Sequence, residues 1–224
     1  MKRTRLALAL VLACAVVSAH AADRDVSKVN GGIHVEDGER YGSLDTVNGG
    51  IHIGANARVA SAETVNGGIE VGESTQTGNL ETVNGGIQVD ERVTITGGVS
   101  TVNGGIFVGR GGKVGGTVET VNGAIGLVGT EVSGGIDTVN GDVTVGVGTH
   151  VHGGLHYGKQ SKPFFSMGKP RIPRVIIGPD AQVDGPLRFE REVVLYVHSS
   201  ARTGAITGAT AIRFDTPTPP DRAE

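Results

Sequence analysis

Three histidines fall close together, His150, His152 and His156, and they are the side chains of this sequence with the most obvious chemistry. A catalytic zinc site takes three protein ligands and leaves a fourth position open. On a strand, His150 and His152 share one face, because alternate side chains point to the same side. No glutamate or glutamine pattern around them in the sequence completes a site, and histidines on an outward face are ordinarily solvated. The expectation is therefore no bound metal, with these three as the candidate ligands. A second pair, His34 and His52, occupies equivalent places in successive repeats. Their rings are expected to stack on the outside, with metal binding or pH sensing as the functional option. The sequence shows neither a nucleophile with a nearby base nor a phosphate loop, so no catalytic residue and no cofactor are assigned.

The elements that position these residues are repeats. Val-Asn-Gly, one further residue and then Ile or Val recur seven times, with valines at 29, 47, 65, 83, 102, 121 and 139. So short and regular a period is that of a unit that buries its apolar face only by stacking on its neighbours. Inside it lies a finer beat, for Val47, Ile53, Val59 and Val65 are evenly spaced, three steps to the repeat. Three short strands per repeat, each with a corner after it, make one turn of a triangular coil. Asn-Gly between β-branched residues is also a hairpin signal, but a meander of hairpins gives no reason for the finer beat. The fold class read from the sequence is all-β, a single-stranded parallel β-helix of nine or ten coils with equal strands of four or five residues. The 38 glycines, 4% aromatics and absent tryptophan agree, since they suit a thin column of Val and Ile better than a broad core.

Stacking assigns roles to the repeated residues. Asn30, Asn48, Asn66, Asn84, Asn103, Asn122 and Asn140 are expected to form one ladder, each amide bonding to those above and below. Asparagine also tolerates the left-handed backbone of a sharp corner. Glycine follows each one, where a Cβ would clash at the turn. With the valines taken as the inward column, the preceding threonines Thr46, Thr64, Thr82, Thr101, Thr120 and Thr138 point outward. Before those stand Asp45, Glu63, Glu81, Ser100, Glu119 and Asp137. Like charges at strand spacing repel, and solvent screening with basic neighbours such as Arg58 and Arg92 is expected to relieve them rather than a divalent cation.

The repeats weaken after Val151. Residues 158–174 carry five basic residues, three prolines and the adjacent Phe164 and Phe165. Prolines at that density break a ladder, so the segment is an excursion from the coil. Its phenylalanines either cover the last wall or contact a partner. Coils resume over residues 175–215, and residues 216–224 read as a disordered tail.

The leader, residues 1–21, is read separately. Lys2, Arg3 and Arg5 precede an apolar run over 6–18 and the small-x-small site Ala19-His20-Ala21. This is the pattern of a secretory signal peptide, and the run is too short to span a membrane. Lipidation at Cys14 is the rival, but Leu12 fits that motif poorly and Ala19-His20-Ala21 is the better cleavage site. Cleavage after Ala21 removes the only cysteine and takes the formal charge from −3 to −6. The exported chain then depends on packing and backbone hydrogen bonds rather than disulfides, and its acidity disfavours nucleic acid as a partner. No later segment is apolar enough to cross a membrane.

The string Ile177-Gly178-Pro179, Ala181, Val183, Gly185 and Leu187 resembles the polymer-forming bactofilins, as does the coil length. The Val-Asn-Gly-Gly-Ile repeats resemble exported bacterial putative-adhesin β-solenoids. The bactofilin resemblance implies a right-handed triangular helix that associates end to end as a scaffold near the cell envelope. Bactofilins are cytoplasmic, whereas this chain begins with an export-type leader. The expected function is a non-catalytic exported scaffold or adhesin of the bacterial envelope. Its expected partners are copies of itself or an envelope or cell-surface protein. The enzymatic alternative is a zinc-dependent hexapeptide-repeat enzyme, similar to γ-class carbonic anhydrases, using His150, His152 and His156.

Overall fold

The structure, a computed structural model, describes residues 24–159 and 171–220. The signal-peptide reading, Cys14, and the Phe164-Phe165 pair lie outside the described residues. What is described is a parallel β-solenoid in which strands pair in parallel with their equivalents one coil away. Among the described residues there is no helix, and so none long and apolar enough to cross a membrane.

Each coil has three walls. The first wall is a ten-stranded sheet of short strands, beginning Ile33–Val35, Ile51–Ile53 and Ile69–Val71, which sets the coil count at ten. Its strands read inward, outward, inward, so Ile51 and Ile53 are buried while His52 is exposed. The second and third walls are continuous in the early coils, as single bent strands Arg40–Asn48, Arg58–Asn66 and Gln76–Asn84. From the fourth coil they divide, as in Thr94–Ile95 followed by Val99–Asn103. The cause is local: Gly97-Gly98, Gly115-Gly116, Gly134-Gly135 and Gly153-Gly154 enter at that bend, and paired glycines weaken a strand. Equal strands of four or five residues are therefore not what forms. The walls range from two-residue strands to a nine-residue run over two sides.

The core is the expected column, with Leu44, Ala62, Leu80, Val99, Val118, Ile136 and Leu155 stacked on the third wall and each fully buried. Burial of each Val, Leu or Ile contributes about 1.5–3 kcal/mol. The repeat valines are not part of it. Val29, Val47, Val65, Val83 and Val102 are exposed, while Thr46, Thr64, Thr82, Thr101, Thr120 and Thr138 are buried. This reverses the inward and outward assignment made from the sequence. Hydrogen bonding explains the reversal: Thr46, Thr64, Thr82, Thr101 and Thr120 donate through Oγ1 to the carbonyls of Gly31, Gly49, Gly67, Gly85 and Gly104, at 2.8–3.1 Å. The hydroxyl thus satisfies a corner carbonyl of the preceding coil inside the column. Thr138 alone of the six is buried without such a partner. Beyond it the position passes to Tyr157 and then Phe189. The Tyr157 hydroxyl donates to the Gly141 carbonyl at 2.6 Å and accepts from the Gly141 N–H at 3.0 Å. Burial pushes its pKa above the ordinary tyrosine value.

The asparagine ladder is continuous. Each Nδ2 donates to the Oδ1 one coil earlier, from Asn140 through Asn122, Asn103, Asn84, Asn66 and Asn48 to Asn30, at 2.9–3.1 Å. Its last acceptor, Asn140 Oδ1, takes a hydrogen bond from Arg191 at 2.6 Å. The ladder asparagines are not the left-handed residues. That conformation stacks at the corner after the first wall instead, at Gly38, Asn56, Ser74, Arg92, Gly111, Gly129, Gly148 and Asp180. Close approach is what requires the glycines after the asparagines, since a Cβ on Gly67, Gly85, Gly104 or Gly123 would lie well inside 3.0 Å of the carbonyl oxygen one coil below.

Across residues 158–174 the register is kept, with Val143 facing Val175 and Leu155 facing Leu187, although the chain between each pair is much longer than one repeat. The strands on either side therefore belong to successive coils. Residues 215–220 carry no strand, and the Pro220 carbonyl accepts from Arg174 at 2.6 Å.

Candidate functional site

His150 and Val151 form a two-residue strand of the second wall, with Val151 inward and fully buried. His150 and His152 therefore project outward together, and their ring centroids are 4.0 Å apart. Pairing of Glu131 with His150, and of Val151 with Val183, lays the neighbouring coils beside them. Asp184 arrives from the following coil: its Oδ2 is 2.8 Å from His150 Nε2 and 3.5 Å from His152 Nδ1. From the preceding coil, Glu131 Oε1 lies 3.3 Å from His152 Nε2. Gln182 donates through Nε2 to the other oxygen of Asp184 at 2.6 Å. Hydrogen bonds from Gln182 and His150 hold the Asp184 carboxyl below the ordinary value of 3.8.

No glutamate or glutamine pattern is visible around these histidines in the local sequence, but the fold brings Glu131, Gln182 and Asp184 to them. The partners are distant along the chain but only one coil away in space. Register alone points to them, because the residue after Val183 stacks on the residue after Val151.

His156 is not part of this group. It belongs to the third-wall strand Leu155–Tyr157, past the bend at Gly153-Gly154. Its Nδ1 is 2.9 Å from Asp137 Oδ1, and its Nε2 is 3.3 Å from Glu190 Oε1. Burial works to lower its pKa, but the hydrogen bonds to Glu190 and Asp137 outweigh that and leave it raised. A raised value means that protonated His156 stabilises the fold in full below its ordinary 6.5, and that this contribution is lost as the pH climbs through the raised folded value. Thermal melts from about pH 6 to about pH 9 should show a decline in Tm that His156→Gln reduces. The difference should be modest because the side chain is half exposed, and identical pH profiles would refute the assignment.

His34 and His52 stack on the first wall as expected, with centroids 4.8 Å apart and planes within 7°. His34 turns to Glu36 and His52 to Glu70.

The remaining feature is a face. On the third wall, Asp45, Glu63, Glu81, Ser100, Glu119 and Asp137 pair in register down successive coils, with His156 and Arg188 continuing the row. Partial burial and the charges of Glu81 and Asp45 raise the pKa of Glu63. The basic neighbours named from the sequence do not relieve this row, since Arg92 pairs with Glu73 and Glu91 at a corner and Arg58 lies on the second wall. Alongside the carboxylates runs the exposed valine column. The two line an open groove across successive coils, with the threonines at its floor.

The fold defines the chain as a parallel β-solenoid. A scan against protein-family models found no match, and searches of curated proteins and of solved structures likewise found none.

Proposed function

We propose that the chain is an exported, non-catalytic β-solenoid that works through its surface, as a scaffold or adhesin-like component of a bacterial envelope. The observation that carries this reading is the third-wall face. Five repeat valines stand outside the column, four of them 39–41% exposed and Val29 67%, beside a row of carboxylates in register. An apolar stripe of this length on a rigid ladder suits contact with another macromolecule. The leader-type N-terminus supports export, and the resemblance to bactofilins and to adhesin-type solenoids supports the envelope role. The coil ends support the self-association part of this reading, because edge strands of a solenoid offer backbone groups for pairing.

The zinc-enzyme alternative needs His150, His152 and His156 as joint ligands. It is weakened because His156 stands on another wall with its own carboxylate partners.

Fractionation of bacteria expressing the whole chain should recover it, cleaved after Ala21, from the periplasm or envelope. Sedimentation velocity on the chain beginning at residue 22 should show larger species as concentration rises. Retention of the uncleaved chain in the cytoplasm would contradict the export reading, and a strictly monomeric species at every concentration would remove self-association.

A further inference from the structure

We propose that His150, His152 and Asp184 bind a divalent transition metal of the zinc type, which clips the coils on either side of the excursion over residues 158–174. This inference depends on the side-chain geometry alone and stands apart from the envelope reading.

Ligand atoms of the three residues all lie within 4.8 Å of one another. Zinc bonds to imidazole nitrogen and carboxylate oxygen of about 2.0–2.1 Å give a tetrahedron with edges of about 3.3 Å. The distances from Asp184 Oδ2, 2.8 Å to His150 Nε2 and 3.5 Å to His152 Nδ1, bracket that edge. Two nitrogens and one hard oxygen make a donor set that suits zinc and its first-row neighbours.

The outer partners strengthen the case. A metal-bound histidine normally donates its other N–H to a carboxylate, which fixes the tautomer and aims the lone pair. Glu131 Oε1 stands where it can accept from His152 Nε2. With its proton there, His152 presents the Nδ1 lone pair toward Asp184. Gln182 does the same service for the carboxylate, holding Oδ1 so that Oδ2 faces the rings. An imidazole lone pair facing a carboxylate oxygen needs a proton or a cation between them, and a zinc ion fills that place for both histidines at once.

The site is also accessible and spans several coils. The histidine and aspartate side chains are 35–42% exposed, so an ion enters from solution without any opening of the fold. Glu131, the two histidines and Asp184 come from three consecutive coils, joined by the Glu131–His150 and His150–Gln182 pairings. Asp184 follows the long excursion, so the metal adds a tie to the backbone pairing and side-chain contacts, such as His156 with Glu190, that already join the coils on either side. The fourth position faces solvent and takes water.

The test uses the whole chain from residue 22, treated with a chelator, dialysed and titrated with ZnCl2 in a non-coordinating buffer. One saturable site is expected by calorimetry. Zinc at one hundred times its Kd should raise Tm by about 5–10 °C. Cobalt(II) should give the intense visible bands of a tetrahedral centre. Asp184→Asn and His150→Gln should abolish the shift without changing the circular dichroism spectrum, and Glu131→Gln should weaken binding about 10- to 100-fold. His156→Gln should bind as the parent does. Absence of saturable binding to the parent chain, binding unaffected by Asp184→Asn, or loss of binding with His156→Gln would each overturn the proposal.

Discussion

Gly104→Ala is expected to lower the unfolding free energy by about 4 kcal/mol or more, at the far end of what one substitution does. The new methyl would be driven into the carbonyl of Gly85 and crowd the Gly86 nitrogen beyond it, all backbone atoms of the coil below. The same carbonyl accepts the hydroxyl of Thr101, so the clash and the loss of a buried hydrogen bond coincide. In a solenoid each coil touches only its neighbours, so a wedge at one interface uncouples the two stacks it joins. Tm should fall by roughly 8–16 °C, and hydrogen exchange should accelerate first in the coils around residue 104. Gly38→Ala is the comparison. Gly38 has open space for a methyl but a φ of 75°, so only the left-handed penalty of about 1–2 kcal/mol applies. Equal losses in the two variants would show that backbone conformation, not coil spacing, governs these corners.

Much of the architecture is legible in the residues. A repeat this short requires stacking whatever the wall geometry, and identical residues at its period must form columns. The asparagine ladder, the close approach at the glycines and the stacked His34 and His52 rings all follow from that alone. The direction each column faces does not. Alternation along a strand states which side chains share a side, but not which side is the core. Between the inward residues Val59 and Ala62 the chain takes an odd number of steps through its bend, and that reverses the phase. The even beat from Ile53 to Val59 therefore does not carry on to Val65, whose neighbour Thr64 turns inward. Composition misleads here as well, since a valine reads as core and a threonine as surface until the corner carbonyl that needs its hydroxyl is known.

The histidine cluster shows a second limit. His150 and His152 are visible as a pair because only Val151 separates them. Asp184 is hidden by the excursion, which lengthens the interval between stacked residues well beyond one repeat. Counting by the repeat places the wrong residue beside His152. Only the resumed pattern at Val183, aligned on Val151, brings Asp184 into place. His156 fails the sequence grouping for the converse reason, because a short step along the chain carries it past a corner to another wall.

The exposed valine column bears most of the functional reading, and substitution tests its orientation. Ile106→Ala removes a side chain that is 2% exposed and stacked between Ile87 and Ile125. Such a cavity costs about 2–5 kcal/mol. Val102→Ala, just before it in the same repeat, removes methyl groups from a side chain that is 40% exposed, and surface changes of this kind stay within about 0.5 kcal/mol. The measurement is urea unfolding of both variants against the parent chain, followed by circular dichroism. A large loss for Ile106→Ala with a near-neutral Val102→Ala is the expected result. A loss of several kcal/mol for Val102→Ala would place the repeat valines inside the column, and the apolar face on which the proposed surface function rests would not exist.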